Sequence, residues 1–118
     1  MKRAVAYIRV STKSDAQLHS YDYQVEYYKD LIERNPNLEY VGIYSDWGIS
    51  GRWLAKRPQL NQLLEDAKEH KFDVVYTKSV SRLSRNTTEL LEMVRELRDL
   101  GVKVVFEKEN IDTFDPSA

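Results

Sequence analysis

The sequence contains no cysteine, which excludes a disulfide scaffold, a thiolate zinc site and a cysteine nucleophile. Histidine is nearly missing: His19 and His70 are the only two in 118 residues, too few for a histidine-rich metal site. No uninterrupted apolar run approaches the roughly 20 residues of a membrane span. The apolar run after Met1-Lys2-Arg3 ends at Arg9, so the N-terminus does not read as a signal peptide and the expected address is the cytoplasm. Net charge is almost absent as well. Eighteen Lys plus Arg against nineteen Asp plus Glu leave −1, which argues against a uniformly basic coat for nucleic acid. Nucleotide-cofactor loops are lacking too: there is no Gly-x-x-x-x-Gly-Lys-Ser/Thr and no Gly-x-Gly-x-x-Gly after the first apolar run. Nor is there a Gly-x-Ser-x-Gly elbow for acyl hydrolysis. No metal and no organic cofactor is expected.

What is present is enough for one domain over residues 1–118: 42% apolar residues for a core and 31% charged residues for a solvated surface. The charge is segregated. Residues 1–14, 47–64 and 74–88 hold no acid, yet carry Lys2, Arg3, Arg9 and Lys13, then Arg52, Lys56 and Arg57, then Lys78, Arg82 and Arg85. Such windows either mark buried strands or, if the fold gathers them, one positive edge.

Four short runs rich in β-branched and aromatic residues predict strands at 4–8, 40–44, 72–76 and 102–106. Between them the spacing is helical. Leu18, Tyr21, Val25, Tyr28 and Ile32 form one stripe, and Leu60, Leu63, Leu64 and Ala67 form a second behind Pro58. Leu90, Met93, Val94, Leu97 and Leu100 form a third, opened by the capping box Asn86-Thr87-Thr88-Glu89 and stopped by Gly101. Alternating strands and helices predict an α/β fold, a mainly parallel four- to five-stranded sheet with covering helices. Right-handed crossovers then bring every strand-to-helix loop to the carboxyl edge, where open α/β sheets bind ligands. All three acid-free windows empty onto that edge.

Arg9 and Ser11 stand two apart, so in an extended strand they share a face. A guanidinium that grips non-bridging oxygens beside a hydroxyl held in line suits attack on a phosphate. Arg82 and Arg85 precede the Asn86 cap, beside a helix N-terminus that also favours anions. Tyr21, Tyr23, Tyr27 and Tyr28 form a possible stacking platform for bases, though Tyr21 and Tyr28 fall on the core stripe.

Tyr7-Ile8-Arg9-Val10-Ser11-Thr12 resembles the nucleophile motif of the serine recombinases, the resolvase/invertase family. The resemblance continues through Gln17 and Gln24, Asp46-Trp47-Gly48-Ile49-Ser50-Gly51, Arg57-Pro58 with Leu60, and Ser81-Arg82-Leu83-Ser84-Arg85-Asn86. It implies a resolvase-like catalytic domain that cuts and transfers strands of double-stranded DNA without metal or ATP, as a dimer to tetramer. By that resemblance Ser11 is the nucleophile, and Arg9, Arg82 and Arg85 bind the scissile phosphate. Arg57 is a further phosphate contact, and Gln17, Gln24, Asp46 and Ser81 are supporting residues. Many small resolvases carry an Asp where this sequence has Ser81, and the Ser-Arg-x-Ser-Arg form is more like the large recombinases of mobile elements, which integrate or excise DNA. The resemblance also implies that the chain ends before a long dimerisation helix and a DNA-binding region. From the residues alone, two other readings stay open: a non-catalytic phosphate- or DNA-binding α/β module, and a divalent-metal phosphodiesterase.

Overall fold

The computed structural model describes residues 1–10, 15–47, 57–84 and 86–114, with the backbone alone for 15–19 and Arg82. In chain order the elements are β1 (Lys2–Val10), α1 (Asp15–Glu33), β2 (Leu38–Trp47), α2 (Pro58–Lys68) and β3 (Val74–Thr77). Then follow α3 (Val80–Leu83), α4 (Thr87–Asp99), β4 (Lys103–Phe106) and β5 (Ile111–Asp112). The five strands make one sheet in the order β2-β1-β3-β4-β5. Every pairing is parallel except that of β4 with the two-residue β5. The expected α/β architecture with a mainly parallel sheet is the one observed.

β1 lies between β2 and β3 and is covered on both faces, which is why Ala4–Ile8 and Val10 read as a nearly unbroken apolar run. Alternate residues serve different layers. Ala4, Ala6, Ile8 and Val10 face α1, where they pack with Tyr28 and Ile32. Val5 and Tyr7 face the other layer, with Leu60 and Leu63 of α2, Leu83 of α3, and Met93 and Leu97 of α4. Several of these leucines have no exposed surface. Truncating one of them to Ala costs about 2–5 kcal/mol, depending on how far the site collapses.

The strand boundaries shift where pairing overrides propensity. β1 and β2 extend past the apolar runs because they pair along their whole length, from Lys2 opposite Leu38 to Val10 opposite Trp47. The register slips between Ala4 and Val5, leaving Val41 of β2 as the extra residue. β3 starts later than predicted. Phe72 instead buries its ring edge-on to Tyr44, and Asp73 turns its carboxylate onto the Arg3 backbone N–H at 2.9 Å.

Two helix ends explain themselves. At the end of α4, Val102 N–H donates to Leu97 O at 2.8 Å and Gly101 N–H to Arg98 O at 3.0 Å. This Schellman pattern needs the left-handed φ of +81° at Gly101. At its start, Asn86 Oδ1 accepts from Glu89 N–H at 3.1 Å, as the capping box predicts. The reciprocal arm runs through Ser84: Asn86 N–H donates to Ser84 Oγ, and Ser84 Oγ donates to Glu89 Oε1. No helix among the described residues is long and apolar enough to cross a membrane.

Candidate active site

Because β1, β2 and β3 are parallel, Val10, Trp47 and Thr77 all end at one edge of the sheet. Arg9 lies directly opposite Asp46, and Tyr7 lies opposite Tyr44 on one side and Thr77 on the other. Two-residue periodicity puts Tyr7 and Arg9 on the same face of β1, the face covered by α2, α3 and α4.

The centre of this arrangement is the Tyr7 hydroxyl. It donates to Asp46 Oδ2 at 2.8 Å and accepts from Arg57 Nε at 3.1 Å and Arg57 Nη2 at 2.9 Å. Arg57 Nη1 donates to the carbonyl of Leu83, the last residue of α3. The guanidinium carbon is 5.2 Å from the Tyr7 ring centroid, so the cation also leans over the aromatic face. Tyr7, Asp46 and Arg57 are all buried, Arg57 completely. Burial pushes the Tyr7 phenol well above the ordinary tyrosine range, and the Asp46 carboxylate adds to the rise while Arg57 opposes it. The phenol is therefore neutral, and it joins a buried cation to a buried carboxylate without their direct contact.

Asp46 has a second task. Arg57 occupies the N-cap position of α2 but caps nothing with its own side chain, and Pro58 has no N–H to offer. Asp46 supplies the cap from the end of β2: Gln59 N–H donates to Oδ1 at 3.0 Å and Leu60 N–H to Oδ2 at 3.1 Å. A carboxylate at a helix N-terminus is also favoured by the helix dipole.

α3 is thereby tied to the sheet. Its carbonyl end is held by Arg57, and its first turn is held by Glu109, whose Oε1 accepts from Val80 N–H at 3.1 Å. Ser81 and Arg82 ride on this turn. Ser81 is exposed, with its Oγ 3.1 Å from Ser79 Oγ.

The structure thus gathers Arg9, Asp46 and Arg57 and, through Leu83, fixes the backbone that carries Ser81 and Arg82. Ser11 and Arg85 lie outside the described residues, and of Gln17 only its place in α1 is described. Gln24 sits elsewhere, half-buried on α1 on the other side of the sheet, its Nε2 3.4 Å from Ser20 Oγ. Arg57, for which a phosphate contact is expected, has no exposed surface, and its hydrogen bonds among the described residues include those to Tyr7 and Leu83. The residue that sequence reasoning gave no role is Tyr7, although its place two residues before Arg9 put it on the same face. The Leu83 carbonyl leaves no sequence signal, because a backbone acceptor has no residue type.

Known proteins match this arrangement over nearly the whole chain. The family model for the resolvase N-terminal domain matches residues 4–118. The Transposon Tn21 resolvase of Escherichia coli is 30% identical over 110 residues, covering 91% of this chain and 48% of the relative. The chain spans about half or less of the length of the curated relatives it matches. Among solved structures, a resolvase family site-specific recombinase from Streptococcus pneumoniae superposes with a TM-score of 0.80 at 30% identity, covering 99% of this chain and 80% of that one. The N-terminal catalytic domain of TP901-1 integrase superposes with a TM-score of 0.78 at 25% identity, covering 98% and 85%. With its motifs in sequence order and the family model spanning residues 4–118, the chain belongs to the resolvase N-terminal domain family of serine recombinases.

Proposed function

We propose that the chain is the catalytic domain of a site-specific DNA recombinase acting on double-stranded DNA as a dimer to tetramer, in the integration or excision of a mobile element. Ser11 Oγ attacks the scissile phosphorus and a 5′-phosphoserine ester forms as the bond to the 3′ oxygen breaks. That oxygen leaves as a free 3′-hydroxyl with the proton it gains. After strands exchange, a 3′-hydroxyl attacks the ester, reseals the phosphodiester and returns the proton-bearing hydroxyl to Ser11. Each step exchanges one phosphate ester for another, so no external energy source enters.

The observation that carries this reading is the joint placement of Arg9 and the Arg82-bearing α3 around the Tyr7–Asp46–Arg57 cluster, at the edge where β1 leads into Ser11. Phosphoryl transfer needs positive groups already in place around the developing phosphorane. Arg9, Arg82 and Arg85 supply the charges that touch the phosphate. Tyr7 and Arg57 position them, Asp46 holds the start of α2, and Ser81 is a supporting residue on the positioned turn. Gln17 and Gln24 support the path from the site along α1.

The test is incubation of the recombinase with a nicked suicide duplex, followed by denaturing electrophoresis. A covalent protein–DNA species is expected, and Ser11→Ala removes it while DNA binding persists. An adduct that survives Ser11→Ala refutes the nucleophile. DNA binding with no adduct from the unsubstituted protein points to the non-catalytic module instead, and cleavage abolished by EDTA points to a metal phosphodiesterase.

A further inference from the structure

The α1 side of the same edge holds a cavity of about 580 Å³ that the strand-transfer chemistry leaves unused. Its walls include Tyr23, Gln24, Tyr27 and Tyr28 from α1, Lys78 directly after β3, and Lys108 two residues after β4. Three features of the wall belong together.

The first is aromatic. Tyr23 and Tyr27 are one helical turn apart, with ring centroids 6.4 Å apart and planes inclined by only 20°. Tyr23 is 72% exposed and Tyr27 43%, so these rings are not core residues. Tyr27 is nevertheless fixed: its hydroxyl donates to Glu107 Oε2 at 2.7 Å, and its ring meets Tyr28 edge-on at 5.1 Å.

The second is charge. Lys108 N–H donates to Lys78 O at 2.8 Å just past the ends of β3 and β4, and both lysines line the cavity. Neighbouring like charges are unfavourable unless something answers them. Neither lysine forms an ion pair with a described residue, whereas Lys68, Lys71 and Lys103 do. Glu107, which also lines the cavity, accepts from the Tyr27 hydroxyl, and Glu109 accepts from the Val80 N–H, and neither is within ion-pair distance of the two lysines.

The third is place. Lys78 follows β3 and Lys108 follows β4, so the cavity lies at the carboxyl edge of the sheet. Exposed ring faces beside unpaired cations are the recognition chemistry of unpaired nucleic acid, in which bases stack on the rings and phosphates meet the cations. A duplex keeps its base faces stacked inside and has none to offer.

We propose that this cavity is a subsite for single-stranded DNA, with bases on the faces of Tyr23 and Tyr27 and phosphates on Lys78 and Lys108. The source of the strand rests on the recombinase reading: it is the strand whose 3′ end is released when Ser11 is esterified.

The test measures binding of a fluorescein-labelled oligothymidylate to the 118-residue chain by fluorescence anisotropy, against a blunt duplex of equal length. The single strand is expected to bind more tightly. Tyr23→Ala should weaken it by about fivefold or more, and Tyr23→Trp should restore it, since stacking needs a ring face. The double variant Lys78→Ala with Lys108→Ala should make the log–log salt dependence shallower by about 1.4, two phosphates at roughly 0.7 each for a single strand. Duplex binding equal to single-strand binding, or indifference to both sets of variants, overturns the proposal. Self-association that depends on Tyr23, without oligonucleotide binding, overturns it in favour of an interface between copies of the chain. Ser11→Ala should bind the oligonucleotide as the unsubstituted chain does. A missing Ser11 adduct therefore refutes the recombinase reading without touching this subsite.

Discussion

The Tyr7 hydroxyl receives two hydrogen bonds from Arg57, at 3.1 and 2.9 Å, and donates one to Asp46 at 2.8 Å. A cation and a carboxylate that are both buried are thus joined by a neutral group. Burying charges is expensive unless their hydrogen-bonding capacity is filled. Here part of that capacity is met by one phenol, one backbone carbonyl and the two N–H groups that open α2. The same bonds lock β1, β2, α2 and α3 to one another at the edge where the chemistry is placed.

Tyr7→Phe keeps the ring and removes the relay. Two donors of Arg57 and one acceptor position of Asp46 then lose their partner in a buried site. Hydrogen bonds to charged groups are worth about 1.5–3 kcal/mol each, and partial relaxation recovers some of the loss. Urea unfolding is expected to give a loss of about 2–4 kcal/mol. Covalent adduct formation should slow while DNA affinity stays near its starting value, because the groups touching the phosphate remain and only their placement is loosened.

Arg57→Lys separates charge from geometry. Lysine brings the same charge as a point and lacks the planar fork that reaches Tyr7 and Leu83 together. The tie to the end of α3 should be lost even where the cation stays. Amide hydrogen exchange reads this directly: Ser84 N–H, bonded to Val80 O at 3.1 Å across that short helix, should lose protection. Amides in the middle of β1 should change little by comparison. Equal loss of protection throughout would mean that Arg57 stabilises the whole domain and has no special hold on α3.

A second buried carboxylate contributes to the pH dependence. The Tyr44 hydroxyl donates to Asp66 Oδ2 at 2.5 Å, with Gln62 Nε2 at 2.8 Å and Lys71 Nζ at 3.4 Å on Oδ1. The hydrogen bond from Tyr44 is the main cause that holds the Asp66 carboxyl below the ordinary aspartate range, helped by Gln62 and Lys71 and opposed by burial. The folded state therefore binds this proton less readily than the unfolded chain. Its stabilisation is complete above the ordinary aspartate value and is lost as pH falls through the lower folded-state value. Tyr44 is shifted the other way, upward, first by burial and then by Asp66. Its share is complete below the ordinary tyrosine value and is lost as pH rises through its higher folded-state value. Urea stability measured across the acid range should fall, and Asp66→Asn should lower the neutral-pH stability while flattening that fall. An acid slope unchanged in Asp66→Asn would assign it to other carboxylates.

How much of this was legible in the sequence follows the range of each interaction. The α/β order, Pro58, the Asn86 cap and Gly101 are local, written into residue type within one turn, and they stand where the sequence puts them. The pairing partners of β1 were less legible, because long-range register depends on all strands at once and carried β1 and β2 past their apolar runs. At the site, the motifs placed Arg9 and Asp46 at one edge. What they hid was direction. Arg57 and Arg9 are both buried arginines in acid-free windows, yet one is tied to Tyr7 by hydrogen bonds that span 50 residues of sequence. Lys78 and Lys108 line one pocket because they follow the paired strands β3 and β4, a pairing that no local signal announces.

Thr77 offers the sharpest test of the core beneath the site. It pairs with Tyr7 across β1 and β3, has no exposed surface, and its Oγ1 has no hydrogen-bond partner among the described residues. A buried hydroxyl without a partner costs about 1–3 kcal/mol relative to a satisfied one. Valine has nearly the same shape and suits a strand better. Thr77→Val is therefore expected to raise stability by about 1 kcal/mol, seen as a higher urea midpoint with an unchanged slope. A lower midpoint would mean that the hydroxyl is satisfied in solution. Adduct formation measured on the same variant decides why threonine is there. If valine stabilises the fold and slows cleavage, the hydroxyl is held unpaired for the sake of the site it borders. If valine stabilises the fold and leaves cleavage unchanged, the threonine is a destabilising residue that the core tolerates.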